Sequence, residues 1–146
     1  MLRFVQVVLL ASIVLATEGS HCCSRIAVGY SKAPYGFSNS MSEWFRPAQV
    51  AKTHQIQIFG YYERTDEEQH GRPVYKSERY DGQDAIWFCG DQWYVGQNEH
   101  VGRCEGYANA GWKNRQSCVD HIEDNDWQVY NGIEFALDRN LKVRCA

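Results

Sequence analysis

The chain has 146 residues, 44% hydrophobic and 14% aromatic, and its 15 Lys plus Arg stand against 18 Asp plus Glu for a net charge of −3. The length fits one domain with a true core, and the apolar content excludes a disordered chain. The charge is mildly acidic and interspersed, which argues against nucleic acid as a partner and against docking on anionic membranes.

Residues 1–19 read as a cleaved signal peptide. Met1-Leu2-Arg3 gives a short positive start, Phe4 to Leu15 is a nearly unbroken apolar run, and Val14-Leu15-Ala16 carries the small residues a signal peptidase reads. Cleavage is expected between Ala16 and Gly19, leaving residues 20–146 as a single extracellular domain. The apolar run falls short of the ~20 residues a membrane span needs.

Turn signals then recur every 8–12 residues, the mark of an all-β domain. Ile26, Val28 and Tyr30 alternate with Arg25, Ala27 and Gly29, predicting a strand with one buried face. Ser42 to Thr53 is the one candidate helix, and Pro47 restricts it to a short one beginning near Arg46. A second strand follows from Ile56, Ile58 and Gly60, and Asp66 to Gly71 reads as a surface loop. Gly90-Asp91 suits a type II′ turn, pairing Cys89 with Gln92, Phe88 with Trp93, Trp87 with Tyr94 and Ile86 with Val95. Asn109 to Gln116 reads as a further loop. Asn131-Gly132 predicts a type I′ turn between Trp127–Tyr130 and Ile133–Leu137, and Leu141, Val143 and Cys145 share one side of a last strand. These elements predict a small disulfide-bonded antiparallel β-sandwich of two sheets and seven to nine short strands, with at most one short helix.

Six cysteines, Cys22, Cys23, Cys89, Cys104, Cys118 and Cys145, follow the signal. An even count in a small secreted domain reads as disulfides throughout. Six cysteines allow 15 pairings, and setting aside a strained bridge between the adjacent Cys22 and Cys23 leaves about twelve. Strand parity favours Cys22 with Cys145, a staple of the chain ends that stabilises by roughly 4–5 kcal/mol on chain-entropy grounds. Cys104 with Cys118 is a second expectation, and Cys23 with Cys89 follows by elimination.

Ile26-x-Val28, Gly60-Tyr61, Gly71-Arg72-Pro73-Val74-Tyr75, Trp93-Tyr94-Val95-Gly96, Cys118, Trp127 and Asp138-x-x-Leu141-x-Val143-x-Cys145 occur in that order. The series resembles a secreted, tryptophan-rich, disulfide-bonded β module of invertebrate extracellular proteins. The likeness spans nearly the whole of residues 20–146, each motif being short and the order carrying it. One departure is Val119 after Cys118, where a proline is common. The resemblance implies location and architecture; the module has no settled activity.

No catalytic or phosphate-binding motif is present, so the chain reads as non-enzymatic and without a cofactor. Among the acidic residues Asp84, before Ala85-Ile86-Trp87, comes closest to a carboxylate in an apolar run, and a solvated strand end is its plainer reading. The five histidines are dispersed, without metal-ligand spacing, so no metal site is predicted from them. Asp120 to Asp126 offers several oxygen donors that suit calcium but lacks the glycine and spacing of an EF-hand loop, so a solvated acidic loop is the competing reading.

The aromatics are the most informative feature. Most belong to a core, yet Trp44, Trp87, Tyr94, Trp112 and the Tyr61-Tyr62 pair are candidates for exposure. Trp87, Tyr94 and Trp112 are the predicted ligand-binding residues. Trp87 and Tyr94 either form an open platform or lie beneath the Asn109–Gln116 loop. The expected function is a secreted binding module for a carbohydrate or another extracellular protein. The alternatives are a matrix or coat protein acting by self-association and a secreted inhibitor or toxin-like effector.

Overall fold

The computed structural model describes residues 21–30, 58–110 and 116–146. The expected signal segment, the helix expected within 42–53, Trp44 and Trp112 lie outside the described residues. The described residues form nine strands: β1 (Arg25–Tyr30), β2 (Gly60–Gln69), β3 (Arg72–Ser77), β4 (Asp84–Cys89), β5 (Gln92–Gln97), β6 (Ala108–Ala110), β7 (Trp127–Tyr130), β8 (Phe135–Leu137) and β9 (Leu141–Cys145). The only helical pieces among the described residues are single 3-10 turns.

All pairings are antiparallel, and the strands form one sheet in the order β8-β7-β6-β5-β4-β3-β2-β1-β9. The all-β class and strand number match the expectation, but the strands join in a single hydrogen-bonded sheet rather than two. Mostly consecutive strands pair, and β9 returns to the free side of β1. Only residues 138–140 separate β8 at one end of the sheet from β9 at the other, a span of at most about 14 Å. The sheet must therefore curl, and its inner face closes on itself. Ile26 and Val28 (β1), Ile86 and Phe88 (β4), Trp93 and Val95 (β5), Trp127 and Val129 (β7) and Leu141 and Val143 (β9) share one core with Val119 and Ile122 of the β6–β7 connection.

The β4–β5 hairpin has the predicted register at every pair from Ile86↔Val95 to Cys89↔Gln92. Gly90 has φ of 66° and Asp91 does not share the positive sign, as a type II′ turn requires. Elsewhere the turn chemistry differs. The polar stretch expected as a loop from Asp66 is strand as far as Gln69: the register with β3 shifts between Arg64 and Glu68, then Glu68 and Gln69 pair with Pro73 and Arg72, although both faces of the stretch meet solvent. His70-Gly71 makes the turn, with φ of 53° and 72°, the type I′ signature. Asn109 and Ala110, also expected in a loop, are buried in β6. At Asn131-Gly132 the predicted two-residue turn is a four-residue one, since Tyr130 pairs with Phe135. The Asn131 carboxamide oxygen accepts the N–H groups of Ile133 and Glu134, at 2.9 and 3.0 Å, so its side chain makes the turn and its own φ is not positive.

The disulfides are Cys22–Cys118, Cys23–Cys145 and Cys89–Cys104. All six cysteines are paired, as expected, but none of the three predicted pairings is present. The chain ends are stapled through Cys23 rather than Cys22. Ser24 bends the backbone before β1 starts at Arg25, so the alternation that carried Cys22 inward stops short of it. Cys104 meets Cys89 because the β5–β6 connection folds over the outer face that Cys89 shares with Trp87. Cys118, fully buried, is left to pair with Cys22.

Candidate functional site

Directly opposed residues of antiparallel strands project to the same face. Trp87, Tyr94, Asn109, Gln128 and Leu137 therefore form one row across the outer face, from β4 to β8. At the β4 end the row is closed. Trp87 is 0% exposed and Tyr94 8%, their rings stacked with centroids 6.0 Å apart. The Trp87 Nε1–H donates to the Arg103 carbonyl at 2.8 Å, and the Cys89–Cys104 bridge holds the same segment down. The cover approaches closely: a Cβ on Gly106 would stand 2.8 Å from the Val95 carbonyl oxygen. Burial raises the Tyr94 phenol above its ordinary pKa, and its hydroxyl donates to Gln92 Oε1 at 3.0 Å.

Trp87 and Tyr94 are thus not an open binding platform. They are covered by residues 101–106 of the β5–β6 connection, while residues 111–115 of the predicted covering loop lie outside the described residues. Trp112 is outside the described residues, so of the three predicted ligand residues only Trp87 and Tyr94 are placed, and these two stack on each other. Of the other candidates for exposure, Tyr62 is fully buried and its hydroxyl donates to the Ile58 carbonyl, while Tyr61 is half-buried beneath the Arg25 guanidinium, 4.0 Å from its ring centroid.

The titratable groups singled out in the sequence have the following surroundings. Asp84 is buried rather than solvated, and burial raises its carboxyl pKa against the opposing pull of Arg79. In the acidic 120–126 run, the Asp124 carboxylate is taken by Arg144 and Lys142, at 2.5 and 3.2 Å, so its charge is already balanced. The Cys/Asp cluster Cys23, Asp120 and Cys145 offers one carboxylate beside a disulfide, whose sulfurs are not thiolate ligands.

The β8 end of the outer row is open. Tyr130 is 40%, Ile133 87%, Phe135 37% and Leu137 52% exposed, and these are the large apolar residues exposed among the described ones. All four belong to the β7–β8 hairpin. Phe135 and Leu137 project outward with Tyr130, whose ring lies 5.4 Å from that of Phe135. Within β7–β8, Asn131 N–H donates to Glu134 O and Asp138 N–H to Trp127 O. Alternation then directs the N–H and C=O of Phe135 and Leu137 away from β7, toward the free edge. The hairpin combines apolar side chains with outward backbone groups on a terminal strand.

The sequence pattern puts Ile133 to Leu137 on a strand and assigns it no role; the strand begins only at Phe135, because Ile133 and Glu134 belong to the turn built on Asn131. Alternating apolar residues after Asn-Gly signal a strand, but a core strand gives the same signal, and only strand order reveals an edge. No protein-family model, curated protein or solved structure matches the chain.

Proposed function

We propose that this protein is a secreted, non-enzymatic interaction module that acts through protein–protein contact at the β8 edge. The observation that carries the reading is the concentration of the exposed large apolar residues on one terminal hairpin. Exposed edges recruit further strands: main-chain bonds supply affinity and alternate side chains supply selectivity. A protein ligand is favoured over a carbohydrate because Trp87 and Tyr94, the aromatic pair suited to stacking on a sugar, is closed. Three disulfides fit an oxidising, extracellular setting, in keeping with the signal-like segment at residues 1–19.

The test is selection of extended peptides from a phage-displayed library on the secreted, disulfide-bonded chain, with a glycan array in parallel. Retention of peptides by the natural chain and their loss from Leu137→Lys is the expected result. Peptide binding indifferent to Leu137→Lys, or saturable glycan binding that this substitution leaves intact, would overturn the reading.

A further inference from the structure

We propose that the Cys23–Cys145 bridge closes a redox-gated zinc site: once a dithiol reductant opens it, the two thiolates and the Asp120 carboxylate hold one zinc ion. The site lies at the β1–β9 end of the sheet, opposite β8, and does not depend on the module reading. One ligand atom from each of Cys23, Asp120 and Cys145 falls within 4.8 Å of the others. Asp120 sits in the 3-10 turn Val119–His121, and its side chain is only 7% exposed. Its buried Oδ1 has no hydrogen-bond partner among the described residues. The other oxygen, Oδ2, stands 3.6 Å from Cys145 Sγ and 3.5 Å from His121 Nε2. A buried carboxylate oxygen left without a partner costs stability, and a cation beside it removes that cost.

Neither cysteine relies on the bridge alone for its place. The Tyr75 hydroxyl donates to the Cys23 carbonyl at 3.0 Å, and the Arg64 N–H donates to the Ser24 carbonyl at 2.9 Å. Cys145 pairs with Ile26 in the β1–β9 ladder, and the Ala146 N–H donates to the Arg25 carbonyl at 3.1 Å. Asp120 follows Cys118 by two residues, and the Cys22–Cys118 bridge tethers it to the same chain end. Thiolate attack needs access to a sulfur. Cys145 is exposed whereas Cys118 is fully buried, so the gate opens more readily at Cys145 than the tether does at Cys118.

In the opening step a dithiol gives two electrons to the S–S bond and leaves as its own disulfide, so Cys23 and Cys145 become thiols. Zinc then displaces both thiol protons to solvent. Tetrahedral Zn–S bonds of ~2.3 Å set two sulfurs about 3.8 Å apart. The Cα atoms of Cys23 and Cys145 are 5.7 Å apart, so rotation of the two side chains reaches that spacing. Two thiolates select zinc over the harder magnesium and calcium. Asp120 is the third ligand, and water completes the tetrahedron at the exposed rim of Cys145. Exchange with a disulfide oxidant rejoins the sulfurs and expels the ion.

The probe is the cobalt(II) ion, whose absorption reports thiolate ligation, added to the secreted chain before and after reduction by a phosphine. One cobalt per reduced chain is expected, with a sulfur-to-cobalt charge-transfer band and tetrahedral visible bands. Zinc displaces it and reoxidation abolishes it. The double variant Cys23→Ser/Cys145→Ser, treated alike, gives no such band and controls for thiols from the other bridges. Asp120→Asn keeps the shape, lets all three bridges form and removes the anionic donor. It weakens cobalt binding by at least about ten-fold, the least that even an outer partner of a metal site is worth. Should the double variant fail to fold, Asp120→Asn decides alone. If reduction loosens the chain, zinc should restore its far-UV circular dichroism, because metal binding then drives folding. Equal binding by the disulfide form, the same band in the double variant, or binding indifferent to Asp120→Asn overturns the proposal. So does a reduced chain that neither binds cobalt nor refolds with zinc.

Discussion

The two ends of the outer row carry similar side chains and meet opposite fates. At the β4–β5 end, Trp87 and Tyr94 stack beneath a lid; at the β7–β8 end, Tyr130, Phe135 and Leu137 stand in solvent. The difference lies in the connections. Residues 98–107 join β5 to β6, enough chain to fold back and be pinned through Cys104. β7 and β8 are joined by residues 131–134, and β8 and β9 by residues 138–140, neither of which can reach over the hairpin. The opposite edge of the sheet is defended differently: β9 carries Lys142 and Arg144, both held on Asp124, and ends in the Cys23–Cys145 staple. Charge on an edge strand discourages further pairing. β8 carries no charge within Phe135–Leu137. Aromatic content therefore does not by itself mark a binding surface on this fold; the length and anchoring of the neighbouring connection decide.

The largest expected effect is at the covered end. Trp87→Ala empties a fully buried site and removes the bond to the Arg103 carbonyl. A loss of about 3–5 kcal/mol in denaturant unfolding is expected, with the melting temperature falling by roughly 10 °C or more. A loss below about 1 kcal/mol would show that the lid does not seal the pair, and the contrast between the two ends would collapse.

Next comes the anchor of the lid. The cysteines of Cys89–Cys104 are 15 residues apart, so replacing both with alanine removes about 3 kcal/mol on chain-entropy grounds. Local opening sharpens the result. In the double variant, amide exchange should rise across residues 98–106 while the β7–β8 hairpin keeps its natural rate. Equal acceleration at both ends would mean that the bridge stabilises the whole sheet and not the lid.

How far this arrangement was legible in the sequence follows from which interactions are local. The β4–β5 register was readable because Gly90-Asp91 fixes it within a few residues, and strict alternation then sorts Phe88 and Trp93 from Trp87 and Tyr94. The turn at Asn131 was placed but mistyped, because the choice between a backbone turn and a side-chain turn rests on the bonds from Ile133 and Glu134 to Asn131. The disulfides were misassigned because each depends on long-range placement. The bend at Ser24 exchanges Cys22 and Cys23, and the path of the β5–β6 connection brings Cys104 to Cys89. The open edge was hidden for the same reason: Phe135-Ala136-Leu137 has the pattern of a core strand, and its position at the end of the sheet is a property of strand order.

A smaller effect separates the ends by pH. Burial raises the Tyr94 phenol in the folded state above its ordinary pKa of 10.0, so folding disfavours the phenolate. The stability that Tyr94 contributes is fully present below its unfolded pKa and is lost as pH rises through the folded value. Unfolding measured from neutral pH into the alkaline range should show the natural chain losing more stability than Tyr94→Phe. Phenylalanine keeps the stack on Trp87 and lacks the proton, so parallel curves would mean that solvent reaches the Tyr94 hydroxyl freely.

The smallest stability effect belongs to the open end, and there smallness is the informative result. Leu137 is 52% exposed and its side chain points away from the core, on the same face as Gln128. Leu137→Ser removes apolar surface that folding leaves largely in water, so the unfolding free energy of the monomer should move by no more than about 0.5 kcal/mol. The backbone ladder between β7 and β8 does not depend on that side chain. Free protein is required, because a peptide bound at the proposed β8 edge would add its own stabilisation and enlarge the apparent change by mass action. The same substitution measured without and with a phage-selected peptide thus separates two contributions. A small loss without peptide and a larger one with it identifies Leu137 as an interface residue. A large loss in the free protein would instead mean that the hairpin is covered in the folded chain, making the two ends of the outer row alike.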